Sequence, residues 1–144
     1  MTQEEKILLI KELCGRLPYE VKIYHTVYGY VGELISTYYS YGSFVTINEH
    51  RIYTDLKVED IKPYFRPLSS MTKEEREELK SLCKEDLSEF AEFIQNGHGL
   101  SQDGLYMFDK QRQLEWLNVH HFDYRGLIPK GLALEAPEDM YKTE

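Results

Sequence analysis

Two adjacent histidines and a nearby carboxylate, His120, His121 and Asp123, are the side chains whose types are best suited to chemistry. Imidazole and carboxylate groups are ligands that zinc and other transition metals accept. The spacing argues against a shared ion, because adjacent residues on a helix point about 100° apart. The HExxH pattern, which places two histidines on one helix face, is absent. The sequence therefore favours a core position for His121 and a turn or capping role for Asp123, and it predicts no metal and no cofactor.

Other catalytic patterns are weaker still. Ser69 and Ser70 precede a predicted helix, outside the GxSxG context in which a nucleophilic serine usually lies. The glycine-rich stretch from His98 to Gly104 matches neither GxGxxG nor GxxxxGK[ST]. No catalytic residue is therefore assigned, and the sequence leans against an enzyme. A hydrolase or metal enzyme is kept as an alternative that requires at least three side chains to meet in one pocket, from the set His98, His120, His121 and Asp123.

The charge of the chain disfavours general nucleic-acid binding. The formal net charge is −8 over 144 residues, and the isoelectric point is about 5.2. Much of the excess lies in residues 72–93, which hold eight acidic and four basic side chains. Nucleic acids bind to basic patches, which an acidic chain without a basic run does not offer. The acidic segment is interpreted as a solvated helix face, with an acidic surface for a basic partner as the alternative.

Tyrosine is the residue type that points to binding. The chain has 12 tyrosines, and nine of them lie between Tyr19 and Tyr64. A tyrosine ring contributes apolar contact area while its hydroxyl stays hydrated, which suits half-buried sheets and interaction surfaces. The predicted interaction surface consists of Tyr24, Tyr38, Tyr53, Tyr64 and Arg66. Base stacking on these rings is an alternative, and it requires five basic side chains to converge with them, namely Lys22, Arg51, Lys57, Lys62 and Arg66.

The first half of the chain is predicted to form a helix and a sheet. Capping-box spacing at Thr2 and Glu5 precedes a helix over residues 3–14. Pro63 and Pro67 bracket an extended connector after the sheet. Alternating apolar and polar residues predict the first of four short strands, and β-branched and aromatic residues with turn residues between them predict the others. We expect the four to form an antiparallel sheet, with a barrel-like closure as one variant. The strands are Tyr19–His25, Leu34–Tyr39, Phe44–Ile47 and Arg51–Thr54.

The second half is predicted to be mainly helical. A capping-box pattern opens a helix at Thr72 that continues, with a kink or a break, to Asn96-Gly97. Leu105–Phe108 is predicted as a short strand, and Asp109 as the cap of a helix that reaches His121. These helices contribute the second layer of the fold.

Together the elements predict a single α+β domain over residues 1–144. A small antiparallel N-terminal sheet packs with an N-terminal helix and two or three C-terminal helices. The predicted parts are a helix and sheet over residues 1–68, helices over 72–121, an extended closing segment over 122–136 and a tail over 137–144.

The two cysteines form no recognisable motif. Cys14 and Cys83 are far apart, each within a predicted helix, and no CxxC pair supports a zinc or redox site. We expect both to be buried free thiols, as in a reducing compartment. The acidic, polar start of the chain is unlike a signal peptide, and no stretch is long enough to span a membrane. A cytoplasmic location is therefore predicted.

Three blocks of sequence resemble one known family. They are LPYEVK from Leu17, VEDIKPYFRPLSSMT from Val58 and WLNVHHFDYRGLIPKGLALE from Trp116. Together they are similar to a family of uncharacterised proteins that gut Bacteroidales and their phages and prophages encode. The family has no established activity, so the resemblance implies no catalytic residue. It implies a bacterial cytoplasm, with a mobile element as one setting.

The function that fits these observations best is a non-enzymatic, protein-binding accessory role, for a factor derived from a phage or another mobile element. The absence of a catalytic constellation, the acidic surface and the surplus of tyrosine favour it. The expected partner is a protein, and no membrane contact is expected. Two alternatives stay open. One is a nucleic-acid-related role, as an acidic mimic or through an aromatic sheet surface, and the other is the hydrolase described above.

Overall fold

Six strands form one open sheet in the structure, a computed structural model that describes residues 1–39, 42–82 and 102–141. In chain order they are β1 (Lys22–His25), β2 (Val31–Tyr39), β3 (Ser43–Glu49), β4 (Ile52–Lys57), β5 (Ile61–Phe65) and β6 (Leu134–Glu135). Across the sheet the order is β4-β3-β2-β1-β5-β6, and only the β5–β6 pair is parallel. The α+β prediction is confirmed. The barrel-like variant is wrong, because β4 and β6 are edges and the sheet does not close.

Helix α1 (Gln3–Gly15) begins where the sequence predicts it. The Thr2 hydroxyl accepts the N–H of Glu5 at 3.1 Å, and the Glu5 carboxylate accepts the N–H of Thr2 at 3.0 Å. This reciprocal capping box satisfies two amides that the first helical turn leaves unpaired. The prediction of the helix and its cap is confirmed.

The buried face of α1 differs from the apolar stripe in the sequence. Leu9 and Leu13 are fully buried, and the charged Glu12 is buried beside them. Ile7 and Cys14 are exposed, and Cys14 is a free thiol. The expected burial of Cys14 is therefore wrong. Four consecutive apolar residues precede Lys11, so apolar side chains lie all round the first turns and cannot by themselves define the buried face.

The core lies on one face of the sheet, where α1 and the chain after His121 cover it. Burial alternates along β1 and β5, so every second side chain of these strands enters the core. The buried apolar cluster comprises Leu9, Leu13, Val21, Ile23, Leu34, Val45, Ile47, Leu56, Val58, Ile61, Phe65, Leu127, Leu132 and Ala133.

Strand β5 replaces the extended connector predicted around its proline. Residues 61–65 pair with β1 on one side and with β6 on the other. Thr26 donates its N–H to the carbonyl of Asp60 at 2.9 Å, so this pair is hydrogen-bonded. Hydrogen-bonded and non-hydrogen-bonded pairs alternate along an antiparallel ladder, and Pro63 is three pairs further along. Pro63, opposite Ile23, therefore occupies a non-hydrogen-bonded position and lies before the pairing with β6 begins. A proline is tolerated here because the ladder needs no N–H at this position.

Helix α2 covers residues 73–82 of the described chain. The Thr72 hydroxyl accepts the N–H of Glu75 at 3.2 Å, and the Glu75 carboxylate accepts the N–H of Thr72 at 3.0 Å. The second predicted capping box is therefore confirmed. The predicted continuation to Asn96-Gly97 lies outside the described residues, as does Cys83.

Helix α3 runs over Gln102–Val119, which overturns two predictions. Leu105–Phe108 was expected to be a strand and Asp109 to be a cap, yet both lie inside the helix. Strong helix formers such as glutamine, leucine, methionine and lysine fill this stretch, and their summed preference outweighs the cost of Gly104.

The chain divides into two compact units. One comprises Met1–Leu68 and Asn118–Glu144, and the other comprises Ser69–Leu117. The first unit contains the sheet, α1 and the C-terminal segment. The second contains α2 and most of α3. The single domain predicted from sequence stays a prediction.

Candidate functional site

One face of the sheet carries four of the five residues predicted to form the interaction surface. Alternate side chains of a strand project to opposite faces, and residues opposite each other in paired strands share a face. Tyr24 follows the buried Ile23, and Tyr64 precedes the buried Phe65, so both project away from the core. Their rings meet edge to face, with centroids 6.3 Å apart.

The other two tyrosines, Tyr38 on β2 and Tyr53 on β4, lie on the same face, as the pairing of their strands with β3 shows. Val45 and Ile47 are buried, so the alternate positions of β3 project away from the core. Asn48, one of these positions, is opposite Tyr53. Tyr38 follows Thr37, which is opposite the buried Val45, so Tyr38 also projects away from the core. We call the face defined by Tyr24, Tyr38, Tyr53 and Tyr64 the tyrosine face.

The four tyrosines differ in how much of each ring reaches solvent. Tyr53 is 64% exposed and Tyr38 is 39% exposed, whereas Tyr24 and Tyr64 are half-buried. The pKa of Tyr38 is raised, first by desolvation and second by the charge of the neighbouring Asp55. The tyrosine rings are therefore more enclosed at the β1–β5 end of the face and more exposed towards β4.

Acidic groups on the tyrosine face already have partners. Glu33 forms an ion pair with Lys22 on the neighbouring strand. Asp55 accepts the hydroxyl hydrogen of Thr46 at 2.7 Å. The Lys22–Glu33 pair is neutral in sum, whereas Asp55 keeps its charge although the whole chain is strongly acidic.

The five basic residues named in the base-stacking alternative do not gather at one place. Lys22 is engaged by Glu33, and Arg51 lies in the turn between β3 and β4. The guanidinium of Arg66 lies over the ring of Phe122, 4.2 Å from its centroid. Two further basic side chains project to the tyrosine face from opposite sides of it, Lys57 on β4 and Lys62 on β5.

A buried ionic cluster joins the end of α1 to the C-terminal segment. Arg16 is fully buried and donates two hydrogen bonds to Glu12, at 3.1 and 2.9 Å, and one to the carbonyl of Phe122 at 2.6 Å. Its guanidinium lies 4.0 Å from the centroid of Phe65. Arg125 donates to the second carboxylate oxygen of Glu12 at 2.7 Å. This cluster contains buried charges that satisfy each other, which is how proteins accommodate ions away from water.

Asp123 has a structural role. Its two carboxylate oxygens accept the N–H groups of Leu127 and Ile128, at 2.8 and 2.9 Å, and so cap the turn that follows. This agrees with the turn or capping role predicted from sequence. Arg125, two residues further on, pairs with Glu12 and not with Asp123.

His121 and Tyr141 form the other unusual feature near this segment. The His121 backbone has φ 64°, and its imidazole is buried. Burial, followed by the nearby charge of Arg16, lowers the pKa of His121 to about 4. The Tyr141 hydroxyl accepts the N–H of Lys22 at 2.8 Å and donates to the carbonyl of Tyr64 at 2.7 Å. Burial raises the pKa of Tyr141.

The alternative metal cluster of His120, His121 and Asp123 does not assemble within the described ranges. Both oxygens of Asp123 are occupied by backbone amides. No group of three histidine, cysteine, aspartate or glutamate side chains is placed to hold a metal ion in the part of the chain that the structure describes. His120 is half-buried, and His98 lies outside the described residues.

Sequence reasoning missed three residues that organise this region, Glu12, Arg16 and Tyr141. A signal for the first two exists, since glutamate and arginine four residues apart share one helix face. Tyr141 lies in the segment predicted to be a tail, and nothing local marks it, because its partners are far away in sequence.

Comparisons with known protein families, curated proteins and solved structures find no match for this chain. Among the described residues, no helix is long and apolar enough to cross a membrane. The function is therefore argued from the geometry of the tyrosine face.

Proposed function

We propose that this protein is a non-enzymatic binding module that contacts a protein partner through the tyrosine face. The observation that carries the proposal is the placement of Tyr24, Tyr38, Tyr53 and Tyr64 on the one sheet face that does not pack against α1. Aromatic side chains are enriched at protein interfaces, where a rigid ring buries a large area at a small entropic cost.

The charge pattern favours a protein partner over a nucleic acid. Single-stranded nucleic acids need a continuous basic track beside the stacking rings. On this face Lys22 is paired with Glu33, and Lys57 and Lys62 come from strands on opposite sides of β1 and β2. The charged side chains of the face have mixed signs, which fits the polar rim of a protein interface around the aromatic rings better than a track for phosphates.

The proposed setting is the cytoplasm of a gut bacterium of the Bacteroidales, on a phage or another mobile element. The resemblance of the three sequence blocks supports it. The proposed role is accessory, in that the module binds and modulates another protein and performs no reaction of its own.

Affinity capture from a native Bacteroidales lysate, with nuclease treatment and mass spectrometry, tests the proposal. The tagged protein is expected to recover a stoichiometric protein partner that survives nuclease. The double variant Tyr38→Ser/Tyr53→Ser removes the two most exposed rings of the face and is expected to lose that partner. Tyr28→Ser is the matched control, because Tyr28 is 79% exposed but lies in the β1–β2 turn, against His25 on the core side.

Four outcomes would contradict the proposal. A partner retained by the double variant would place the interface elsewhere. A capture that disappears with nuclease would move the function to nucleic acids. Repeated captures without any partner would count against a binding module, and a bound metal in protein purified without a histidine tag would support the hydrolase alternative.

A further inference from the structure

We infer that the free edge of β4, together with the His50-Arg51 turn before it, is a strand-addition site for an extended acidic peptide segment of the partner protein. The inference rests on the proposed function, since it names the kind of partner and the way it docks. It goes beyond the tyrosine face because the contact is made by backbone groups at the sheet edge. The evidence is the register of β4, the strained turn and the pattern of charge along the edge.

The register shows which backbone groups of β4 are free. In a two-residue hairpin the pair beside the turn, here Glu49 and Ile52, is hydrogen-bonded, and bonded pairs then alternate along the ladder. Tyr53, Asp55 and Lys57 therefore direct their N–H and C=O groups away from β3. No strand pairs with that side of β4 among the residues that the structure describes.

The pairing of β2 supports the same register. Leu34 donates its N–H to the carbonyl of Val21, on the side of β1, at 2.9 Å. Ile47 on β3 is opposite Leu34. Because Leu34 is bonded on the side of β1, the pair of Leu34 and Ile47 is not hydrogen-bonded, and Ile47 directs its N–H and C=O groups to Thr54 on β4. Thr54 is thus bonded to β3, and the residues on either side of it face the open edge.

The turn before β4 adopts a conformation that its residues disfavour. His50 and Arg51 have φ values of 49° and 69°. A two-residue hairpin turn with two positive φ values is usually built from asparagine and glycine, because other side chains are strained there. Backbone strain of this kind is found most often where the side chains have a functional task. Here both side chains are exposed at the corner of the open edge.

The charged residues along the β4 edge indicate which kind of peptide would bind there. The guanidinium of Arg51 forms no ion pair with any residue in the described ranges, and Lys57 stands exposed at the other end of β4. Asp55, between them, is engaged by Thr46. Ile52 and Tyr53 are 67% and 64% exposed. An extended segment with acidic ends and apolar or aromatic residues between them complements this edge.

A second copy of the chain fits the edge less well. Antiparallel pairing of two β4 strands centred on Thr54 places Arg51 of one copy opposite Lys57 of the other, and these two cations repel each other. Pairing centred on Asp55 places the two Asp55 carboxylates opposite each other, which is also repulsive. Pairing about Tyr53 or Leu56 places Asp55 opposite a cation, Arg51 or Lys57, but each overlaps only three residues of β4. The charge pattern therefore favours a different, acidic segment.

Lys57→Pro tests the edge without disturbing the fold. Lys57 already has φ −69° and ψ 143°, which proline adopts, and its N–H faces the open side. The full-length protein is used to select binders from a random library of short peptides, with counter-selection on Lys57→Pro. We expect enriched peptides to be acidic and β-branched. A synthetic copy should bind Lys57→Ala a few-fold more weakly than the wild type, because the cation is lost. It should bind Lys57→Pro about tenfold more weakly than Lys57→Ala or worse, because the edge N–H is lost as well.

Arg51→Gly tests the charge, because glycine suits φ 69° and removes only the cation. We expect about fivefold weaker binding of the acidic peptide. In amide hydrogen exchange, the N–H groups of Tyr53 and Asp55 should exchange fast in the free protein and become protected by the peptide. Thr54 should be protected in both states.

The outcomes separate this inference from the proposed function. A peptide that binds Lys57→Pro as tightly as the wild type, but is lost in Tyr38→Ser, would overturn the edge site and leave the tyrosine face intact. Enrichment of basic or neutral peptides, or of none, would also overturn the edge site. Tight binding of oligouridine without any peptide binding would overturn both proposals, and a concentration-dependent dimer lost in Lys57→Pro would assign the edge to a second copy.

Discussion

The phenol ring of Tyr141 lies flat on the imidazole of His121, with ring centroids 3.7 Å apart and 13° between the planes. From this position its hydroxyl enters the ladder between β1 and β5 and bridges Lys22 to Tyr64. A side chain close to the C-terminus thus occupies a place that a backbone hydrogen bond or a water would otherwise fill. It ties the chain after α3 to the centre of the sheet.

Tyr141→Phe is expected to lower the free energy of unfolding by about 1–3 kcal/mol. The ring and its stack remain, but the N–H of Lys22 and the carbonyl of Tyr64 lose their partner in a partly buried place. Urea unfolding measures the change. Tyr53→Phe is the control, since Tyr53 is exposed, and it should change stability by less than about 0.5 kcal/mol. Equal effects in the two variants would contradict a bridging role.

Protein stability should fall as the pH drops below about 6.5, because of His121. Its folded-state pKa of about 4 is below the ordinary value of 6.5, so the stability is fully present above 6.5 and is lost towards 4. The causes are burial first and then the nearby charges of Arg16, His120, Arg66 and Lys22. The slope should not exceed about 1.4 kcal/mol per pH unit.

His121→Asn provides the comparison for this pH dependence. Asparagine tolerates the positive φ of this position and does not titrate. Urea unfolding between pH 6.5 and about 5, where carboxylates of ordinary pKa stay ionised, should show a smaller slope for the variant. The same slope in both proteins would mean that another group is responsible.

Glu12→Leu should destabilise the protein by about 3–5 kcal/mol, because it leaves the fully buried Arg16 without its counter-charge. The double variant Glu12→Leu/Arg16→Met removes both charges and should recover part of this loss. Arg125→Ala, at an exposed position of the same cluster, should cost less than about 1 kcal/mol. Chemical denaturation measures all three. A double variant no more stable than Glu12→Leu would refute the buried-charge explanation.

Replacing the β3–β4 turn by His50→Asn/Arg51→Gly should raise the free energy of unfolding by about 1 kcal/mol. Asparagine and glycine adopt positive φ with little strain, whereas histidine and arginine do not. Thermal and urea unfolding measure the gain. As a control, placing asparagine and glycine at an ordinary helical site such as Lys73-Glu74 should destabilise the protein. A lower free energy of unfolding for the turn variant His50→Asn/Arg51→Gly would show that the turn is unstrained.

Local sequence patterns were sufficient where an element is specified by its own residues. The capping boxes at Thr2 and Thr72 are present, and strand-favouring residues between turn residues located β2, β3 and β4 to within a few residues. Alternation around β1 predicts that Val21 and Ile23 are buried, as they are, which leaves Lys22 and Tyr24 on the other face.

Local patterns failed where a distant partner decides the structure. Residues 61–65 read as a proline connector, but they become a strand because β1 and β6 supply partners that the proline does not block. Leu105–Phe108 has strand-like aromatics, but it continues α3, where propensity summed over the helix prevails. Glu12 is buried within α1 because Arg16 and Arg125 supply its counter-charges.

The sequence alone determined the α+β class, the caps and the alternation that separates the core from the tyrosine face, because these depend on neighbours within a few positions. Only the tertiary structure decided the strand order, the edge position of β4 and the bridge made by Tyr141. Those features depend on contacts between residues as far apart as Lys22 and Tyr141, whose pairing follows from packing of the whole chain.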